Sequence, residues 1–532
     1  MMPEKHTFDV VVVGGGNNGL AAGAYLARAG LSVAVLELRE VVGGAATTEE
    51  VTLPGFKHNL HAAYMLVIYD VHRQLELEKY GCKIVMDLQG GASHVFADGR
   101  CMHFYGDLDR QVNHLATFSK HDAQMWYDMA MTYKDTAPMW NIGILPVRGM
   151  LPSIPYQIFE STPQGRDLLQ MMQNSARNVC NNLFEDDHLK AALYCYVSQS
   201  VELPDDIMGT GAMVVLRFAQ MGAQSAAAMA GSGIAIGGTG TVTQAMARNI
   251  TDHGGKVFTN ANVVKVTVGN GVAKSAILAD GTEFIAKKAM ISGVNHQLML
   301  INMVGEENLD AHFAAKVKRW RWAETVLFTP HLAFSEPLVW KCCDYDSDIQ
   351  KSWGIGVYPD PPDAFEQQNA DIRAKKVPSE VTVLGVFPTV VDPSQAPPGC
   401  STALLWQYAG YELEGGPEKW DDHKEELADR IMDLMQKCVK NDLRKITVGR
   451  YVQSPMDVVR RNPSMRGGSF AHGSLANDQV GIFRPYSDYE VGKSPFENLY
   501  MAGDWCGCSG VAGRNAAELC LEDLKMKKWW LD

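Results

Sequence analysis

The chain has 532 residues, 46% apolar, 20% charged and 9% aromatic, with 48 basic against 61 acidic side chains and a net charge of −13. That length holds several domains' worth of core, and the apolar fraction with scattered Gly and Pro excludes a disordered or collagen-like chain. An acidic balance without a basic block gives phosphate backbones little to hold, so nucleic acid is not an expected partner.

Residues 1–7 are polar and 8–13 already read as a fold element, so no signal peptide is expected. The uncharged stretch 218–247 is punctuated by Gly, Gln, Ser and Thr and does not read as a spanning helix. The 11 cysteines are an odd number, spaced neither as a disulfide framework nor as a C-x-x-C zinc site. Reduced thiols, no metal and a cytoplasmic location are the expectation.

From Phe8 the chain runs FDVVVVGGGNNGLAAGAYLARAGLSVAVLELRE. Val10 to Val13 form a β-branched run suited to a parallel strand buried on both faces. A helix is predicted from about Asn18, with Leu20, Ala21, Ala24, Tyr25 and Ala27 apolar and Gly30 as its stop. A second strand over 32–36 completes a βαβ unit. Gly14, Gly16 and Gly19 hold the G-x-G-x-x-G spacing between strand and helix, and Glu37 follows the last glycine by 18 residues. Gly14 permits the tight turn, Gly16 lets the backbone approach a diphosphate, and Gly19 lets helix and strand pack closely. The helix N-terminus turns free N–H groups toward the phosphates. Glu37 can accept both ribose hydroxyls and would repel a 2′-phosphate, so an unphosphorylated adenosine diphosphate moiety is expected.

A paired glycine, Gly43-Gly44, follows in LREVVGGAATTEE (38–50). Residues 71–230 are rich in Met, Leu and aromatics, as in MWYDMAMTY and LLQMMQNS; such stripes suit an adaptable apolar pocket, although plain helix core is the commoner reading. Segment 237–268 reads as a glycine turn, a helix and an alternating strand. Residues 274–279, the Asp280-Gly281 turn and 283–286 read as a hairpin. TVLFTPHLAFSE (325–336) and VTVLGVFPTVV (381–391) read as strands of a mixed sheet, the first with alternating character. In NLYMAGDWCGCSGVAGRNAAE (498–518), a short buried strand leads into Gly503-Asp504 and then a helix. The tail LKMKKWWLD sets lysines beside two tryptophans. A membrane contact is its disfavoured reading, and packing on its own domain or a partner chain is the favoured one.

These blocks, with DPSQAPPG (392–399), GGSFAHGSLANDQVGIFRP (467–485) and GVAGRNAA, resemble the phytoene desaturase and carotenoid isomerase superfamily of FAD-dependent oxidoreductases. Within it they are most similar to the branch of pyridine nucleotide-disulphide oxidoreductase domain-containing protein 2. The resemblance spans nearly the whole chain, strongest at both ends and loosest over about 70–225. It implies an α/β fold: a Rossmann-like FAD-binding domain with a parallel sheet, discontinuous over 1–70, 231–296 and 448–532, and an α+β substrate domain over 71–230 and 297–447, roofed by a mixed sheet. It implies FAD rather than NAD, bound by Gly14, Gly16, Asn18, Gly19, Glu37, Leu38, Gly43, Gly44, Ala45, Ala46, Val263, Gly503, Asp504, Val511 and Ala512. In such enzymes the paired-glycine loop closes on the pyrophosphate and the backbone at Val263 meets adenine. Asp504 would bond the ribitol chain, and the helix beginning at Val511, Ala512 and Gly513 would point at the flavin pyrimidine. The glycine-pair loop here lacks the arginine that many amine oxidases carry, which favours the desaturase side. The branch's label implies a disulfide chemistry that the sequence does not support, because Cys506-x-Cys508 is spaced too closely for a relaxed disulfide and no second dinucleotide fingerprint appears.

The resulting expectation is a flavin oxidoreductase of the dehydrogenase or desaturase kind, moving hydride from a C–C or C=C centre of a small apolar organic substrate to FAD. Electrons would pass on to quinone, oxygen or a protein. A redox-neutral hydratase or isomerase using reduced FAD, a protein whose FAD serves assembly or interaction, and an amine oxidase are the alternatives. His61 and Tyr64, after the glycine-pair loop, and His331, on the roofing strand, are the catalytic candidates. His472, in the AHGS turn, reads as a loop tie. Oligomeric state is left open.

Overall fold

A computed structural model describes residues 4–66, 71–86, 93–136, 157, 159–223, 232–359, 363–480, 483–504 and 510–531. The chain opens with β1 (Lys5–Val13), α1 (Asn17–Arg28) and β2 (Val33–Leu36). Val10 to Val13 and all of β2 are buried, as a parallel strand covered on both faces must be. Short strands β3 (Ser93–Val95) and β4 (Cys101–His103) follow, then α2 (Asp187–Val201) and α3 (Gly240–Asp252). Next come β5 (Lys256–Phe258), β6 (Val263–Gly269), β7 (Val272–Leu278) and β8 (Glu283–Ser292). The second half adds β9 (Val326–Phe334), β10 (Gly354–Val357), β11 (Val383–Val386), β12 (Ser401–Ala409) and β13 (Thr447–Gln453). It closes with α4 (Pro455–Arg461), β14 (Leu499–Met501) and α5 (Val511–Asp523).

The first sheet has the order β5-β2-β1-β8-β7-β6, with β14 also on β8. β5, β2, β1, β8 and β14 run parallel, whereas β6 and β7 pair antiparallel around Asn270-Gly271 and β7 and β8 around Asp280-Gly281. β8 is long enough to serve β7 with its first residues and β14 with its last. α1, α3 and α5 cover one face, where Leu20, Ala24, Ile250, Ala516 and Leu519 share a core with Val10 and Val12. The segment Gln297–Gly305 and the helix Ala311–Lys318 cover the other, through Met299, Leu300 and Phe313.

The second sheet has the order β13-β9-β12-β11-β10-β3-β4 and is mixed, because β10 and β3 are parallel and its other pairs antiparallel. β9 does not alternate between inside and outside: all nine residues are buried. Its alternation sorts residues between two cores, Leu327 toward the helices that include α2 and Phe328 and Leu332 toward the helix Trp420–Cys438. β13 lies in this sheet, beside β9, and not among the nucleotide strands. Three helices that accompany α2, Lys120–Tyr133, Pro163–Gln173 and Gly211–Ala223, pack in the same core. Met125, Met129, Met171 and Met172 are half-buried there, as plain helix packing.

The tail packs on its own chain. Trp529 and Trp530 lie 5.5 and 4.7 Å from the Tyr25 ring, and Trp529 Nε1 donates to the Tyr25 carbonyl at 3.1 Å. Among the described residues no helix is long and apolar enough to cross a membrane.

Candidate active site

One cavity joins the two sheets, lined by the β1–α1 turn, the 43–46 loop, residues 61–64, the end of α2, and residues from β9, β12 and the segment after α4. Its nucleotide side is built from glycines. Gly14 has φ +97°, and its N–H donates to the Leu36 carbonyl at 2.8 Å. A Cβ on Gly19 would stand 2.1 Å from the Gly14 carbonyl oxygen, so only glycine lets α1 pack this closely on the turn. Gly16 and Gly43 form a parallel bridge, and Gly43 N–H donates to the Gly15 carbonyl at 2.8 Å, joining the two glycine loops. A Cβ on Gly44 would come within 3.1 Å of Gly16 Cα.

Glu37 is buried on the cavity wall, its oxygens accepting from Gly15 N–H at 2.8 Å and Arg39 N–H at 2.9 Å. Burial raises its carboxyl above the usual range, against the pull of those N–H groups and the Arg39 charge. Leu38, Ala45, Ala46, Val263, Asn18 and Gly503 also line the cavity. Gly19, Asp504, Val511 and Ala512 are not on its wall among the described residues. Gly19 lies behind the turn. Asp504 Oδ1 instead accepts from His296 N–H at 2.7 Å and faces its Nδ1 at 2.6 Å, while Oδ2 has no partner among the described residues. Cys506 and Cys508 lie outside the described residues.

Of the three catalytic candidates, His61 and Tyr64 reach the wall. Burial, aided by the Arg461 charge, pushes the His61 imidazole down to about 4, and its Nδ1 has no partner among the described residues. Tyr64 packs with its ring 5.9 Å from Trp353 and 6.3 Å from Trp406. His331 does not belong with them. It is fully buried in β9 between β12 and β13, edge-on to His58 at 5.5 Å, and off the cavity wall. Burial and the neighbouring His58, His61 and Arg461 hold it well below the usual imidazole range. The roofing strand does reach the cavity, but with Leu327.

His472 is on the wall, at φ +56°, and burial brings its ring down to about 4. Two buried side chains clasp its loop. Glu202, just past α2, accepts from Ser469 Oγ at 2.6 Å and from Phe470 and Ala471 N–H at 3.0 Å each. Burial pushes Glu202 up to about 7 against those three hydrogen bonds. Arg484, fully buried, donates to the carbonyls of Ala471, Ser474 at 3.2 Å and Asp504 at 2.9 Å. The clasp thus couples the His472 loop to α2 and to the Gly503–Asp504 turn.

Several wall residues carried no signal local enough to find them. Gln199 and Ser200 come from α2, Arg461 to Ser464 from the end of α4, and Phe470 from the clasped loop. Trp406 and Tyr408 share one face of β12, a period-two pattern legible in LLWQYA once that segment is taken as a strand. Arg39 and Arg461 converge on Glu49, whose carboxylate accepts from both. Burial raises Glu49, but the two guanidinium groups outweigh it and leave the carboxyl below its usual range.

The arrangement fits a dinucleotide. Side chains are absent where two glycine loops meet, a buried carboxylate ends β2, and both amide atoms of Asn17 on the wall lack partners among the described residues. Residues 19–518 match the family model described as flavin containing amine oxidoreductase. The chain is 26% identical over 566 residues to the rat pyridine nucleotide-disulfide oxidoreductase domain-containing protein 2, covering 98% of this chain and 94% of that one. It is 27% identical over 557 residues to a limonene dehydrogenase subunit of Castellaniella defragrans, covering 100% of this chain and 97% of that one. Among solved structures, a cofactor-binding variant of putrescine oxidase shares the fold, with a TM-score of 0.64, 18% identity, and 98% and 99% of the two chains covered.

Proposed function

The chain belongs to the flavin-containing amine oxidoreductase family, and from that premise we propose that this FAD-dependent oxidoreductase acts on carbon, removing hydride from a small apolar, ring-bearing or conjugated substrate. One observation carries the reading: beyond the glycine loops the cavity wall presents Tyr64, Leu327, Trp406, Tyr408 and Phe470 beside His61, His472, Gln199, Ser200 and Arg461, and the only carboxylate among the described lining residues is Glu37, at the β2 end. Such a wall attracts apolar surface and offers an ammonium ion no counter-charge. The relation to a limonene dehydrogenase subunit supports the same substrate class.

Glu37 would hold the ribose of FAD, the two glycine loops its diphosphate, and the aromatic wall would face its flavin. When bound, the flavin supplies a two-electron hydride acceptor. Tyr64, Trp406 and Phe470 exclude water and hold the substrate plane. His61 and His472, kept neutral by burial, add no fixed charge to the site. The nucleotide sheet and the roofing sheet are best read as two interleaved domains meeting at this cavity. The nine described cysteines carry free thiols, which supports a reducing, cytoplasmic setting.

The test is turnover of purified protein with cyclic monoterpenes, conjugated polyenes and primary amines, each supplied with a quinone or oxygen as acceptor. Loss of one C–H pair from a hydrocarbon per acceptor reduced is the expected result. A hydrocarbon rearranged or hydrated with no acceptor consumed would select redox-neutral chemistry, and turnover of amines alone would overturn the proposal.

A further inference from the structure

The loop Gly43-Gly44-Ala45-Ala46 that closes on the β1–α1 turn carries no cation, although a diphosphate held there brings negative charge. The structure delivers that charge from elsewhere in the chain. α4 is fixed at its start by a reciprocal cap between Ser454 and Asp457, and Asp457 is tied to Lys424 at 2.9 Å. Arg461 is its last residue and lies on the cavity wall, followed there by Asn462. Asn462 Nδ2 stands 3.8 Å from the position of a Cβ on Gly44, which puts this corner of the wall against the paired-glycine loop.

Arg461 is bound on one side only. Its Nη2 donates to Glu49, but its Nε is buried and has no partner among the described residues. Glu49 does not need it for charge balance, because Arg39 already bonds that carboxylate at 3.0 and 3.1 Å. Arg39 also has Glu40 at 3.9 Å, whereas Arg461 bonds Glu49 alone among the described carboxylates, and the unbonded N–H belongs to Arg461, next to Asn462.

We propose that Arg461 is the diphosphate-holding cation of this cavity, standing in from α4 for the arginine that the glycine-pair loop lacks, with Glu49 setting the plane of its guanidinium. The ligand class is the diphosphate ester of a dinucleotide. The inference rests on the FAD reading and assigns one residue to one part of that cofactor. An arginine fork suits a diphosphate better than a lysine point charge does.

The experiment follows release of FAD from diluted holoprotein by the recovery of flavin fluorescence. Arg461→Ala is expected to release FAD about tenfold faster than the wild type, the effect of losing one hydrogen bond to a charged group. Glu49→Gln, whose amide oxygen can still accept from the Arg461 guanidinium and keep its plane, is expected to release it within about threefold of the wild-type rate. Release from Arg461→Ala at the wild-type rate would overturn the inference. Should that variant not fold, Arg461→Lys and Arg461→Gln decide: slower release from the lysine variant supports it, and equal rates overturn it. Wild-type protein that carries no flavin would overturn instead the cofactor assignment beneath it.

Discussion

Gly19→Ala is a one-carbon change whose consequence can be worked from the structure. The added Cβ would lie 2.1 Å from the Gly14 carbonyl oxygen, 3.3 Å from the Gly14 carbonyl carbon and 3.4 Å from Gly293 Cα. Real Cβ contacts essentially never fall under 3.0 Å, so the first is short by about 0.9 Å. The atoms in the way belong to backbone, and no rotamer change relieves them. α1 must therefore back away from β1 and the turn after β8, taking its N-terminal N–H groups with it. Overpacking of this kind costs ~1–3 kcal/mol, the upper end applying where the neighbour is backbone. Alanine returns ~1 kcal/mol through its better helix propensity. The net loss is ~2 kcal/mol, about 30-fold in an equilibrium constant. Denaturant unfolding of the holoprotein reads the stability, and flavin fluorescence reads FAD release. Gly269→Ala, with nothing within 4 Å of its Cβ, is the control and should change stability by less than about 0.5 kcal/mol. Wild-type stability together with wild-type FAD retention in Gly19→Ala would refute the reasoning.

Glu202 makes stability depend on pH. Its carboxyl is raised from 4.5 to about 7, so the stability it contributes is fully present below 4.5 and is lost as pH rises through 7. The shift corresponds to ~3 kcal/mol. Glu202→Gln should flatten the fall in urea midpoint across that window, and an unchanged slope would contradict the assignment. His331→Leu removes a buried ring whose two nitrogens both lack partners among the described residues. It should leave stability unchanged or raise it by ~1 kcal/mol, with flavin reduction within about twofold of wild type, and a loss of reduction would return His331 to the active site. Trp529→Ala should lower stability by ~2 kcal/mol, less than a fully buried tryptophan because the ring is half-buried, as read by thermal unfolding. No change there would mean that the tail does not hold α1.

What was legible in the sequence was what is local. The glycine spacing, the helix after it and Glu37 lie within a few dozen residues, and each obeys a short-range rule of backbone sterics or periodicity. The hairpin around Asp280-Gly281 and the strand before Gly503 were readable for the same reason. Alternation misled at β9, since a strand covered on both faces is buried throughout and period two only decides which core each residue joins. His331, on the same strand, is off the cavity wall: lying in the sheet that roofs the cavity does not put a side chain on that wall. Arg461 was out of reach because its partner Glu49 is 412 residues away and only the α4 crossover brings them together. Glu202 was equally hidden, as an ordinary helix-end acid until the loop 267 residues later folds over it.

The central claim is that one FAD lies across this cavity and draws hydride from carbon against an aromatic wall. Anaerobic mixing of the purified yellow protein with a cyclic alkene hydrocarbon tests it most directly. Bleaching of the oxidised flavin by the hydrocarbon, with none by a primary amine of similar size, is the predicted result. Bleaching by the amine and none by the hydrocarbon would contradict it.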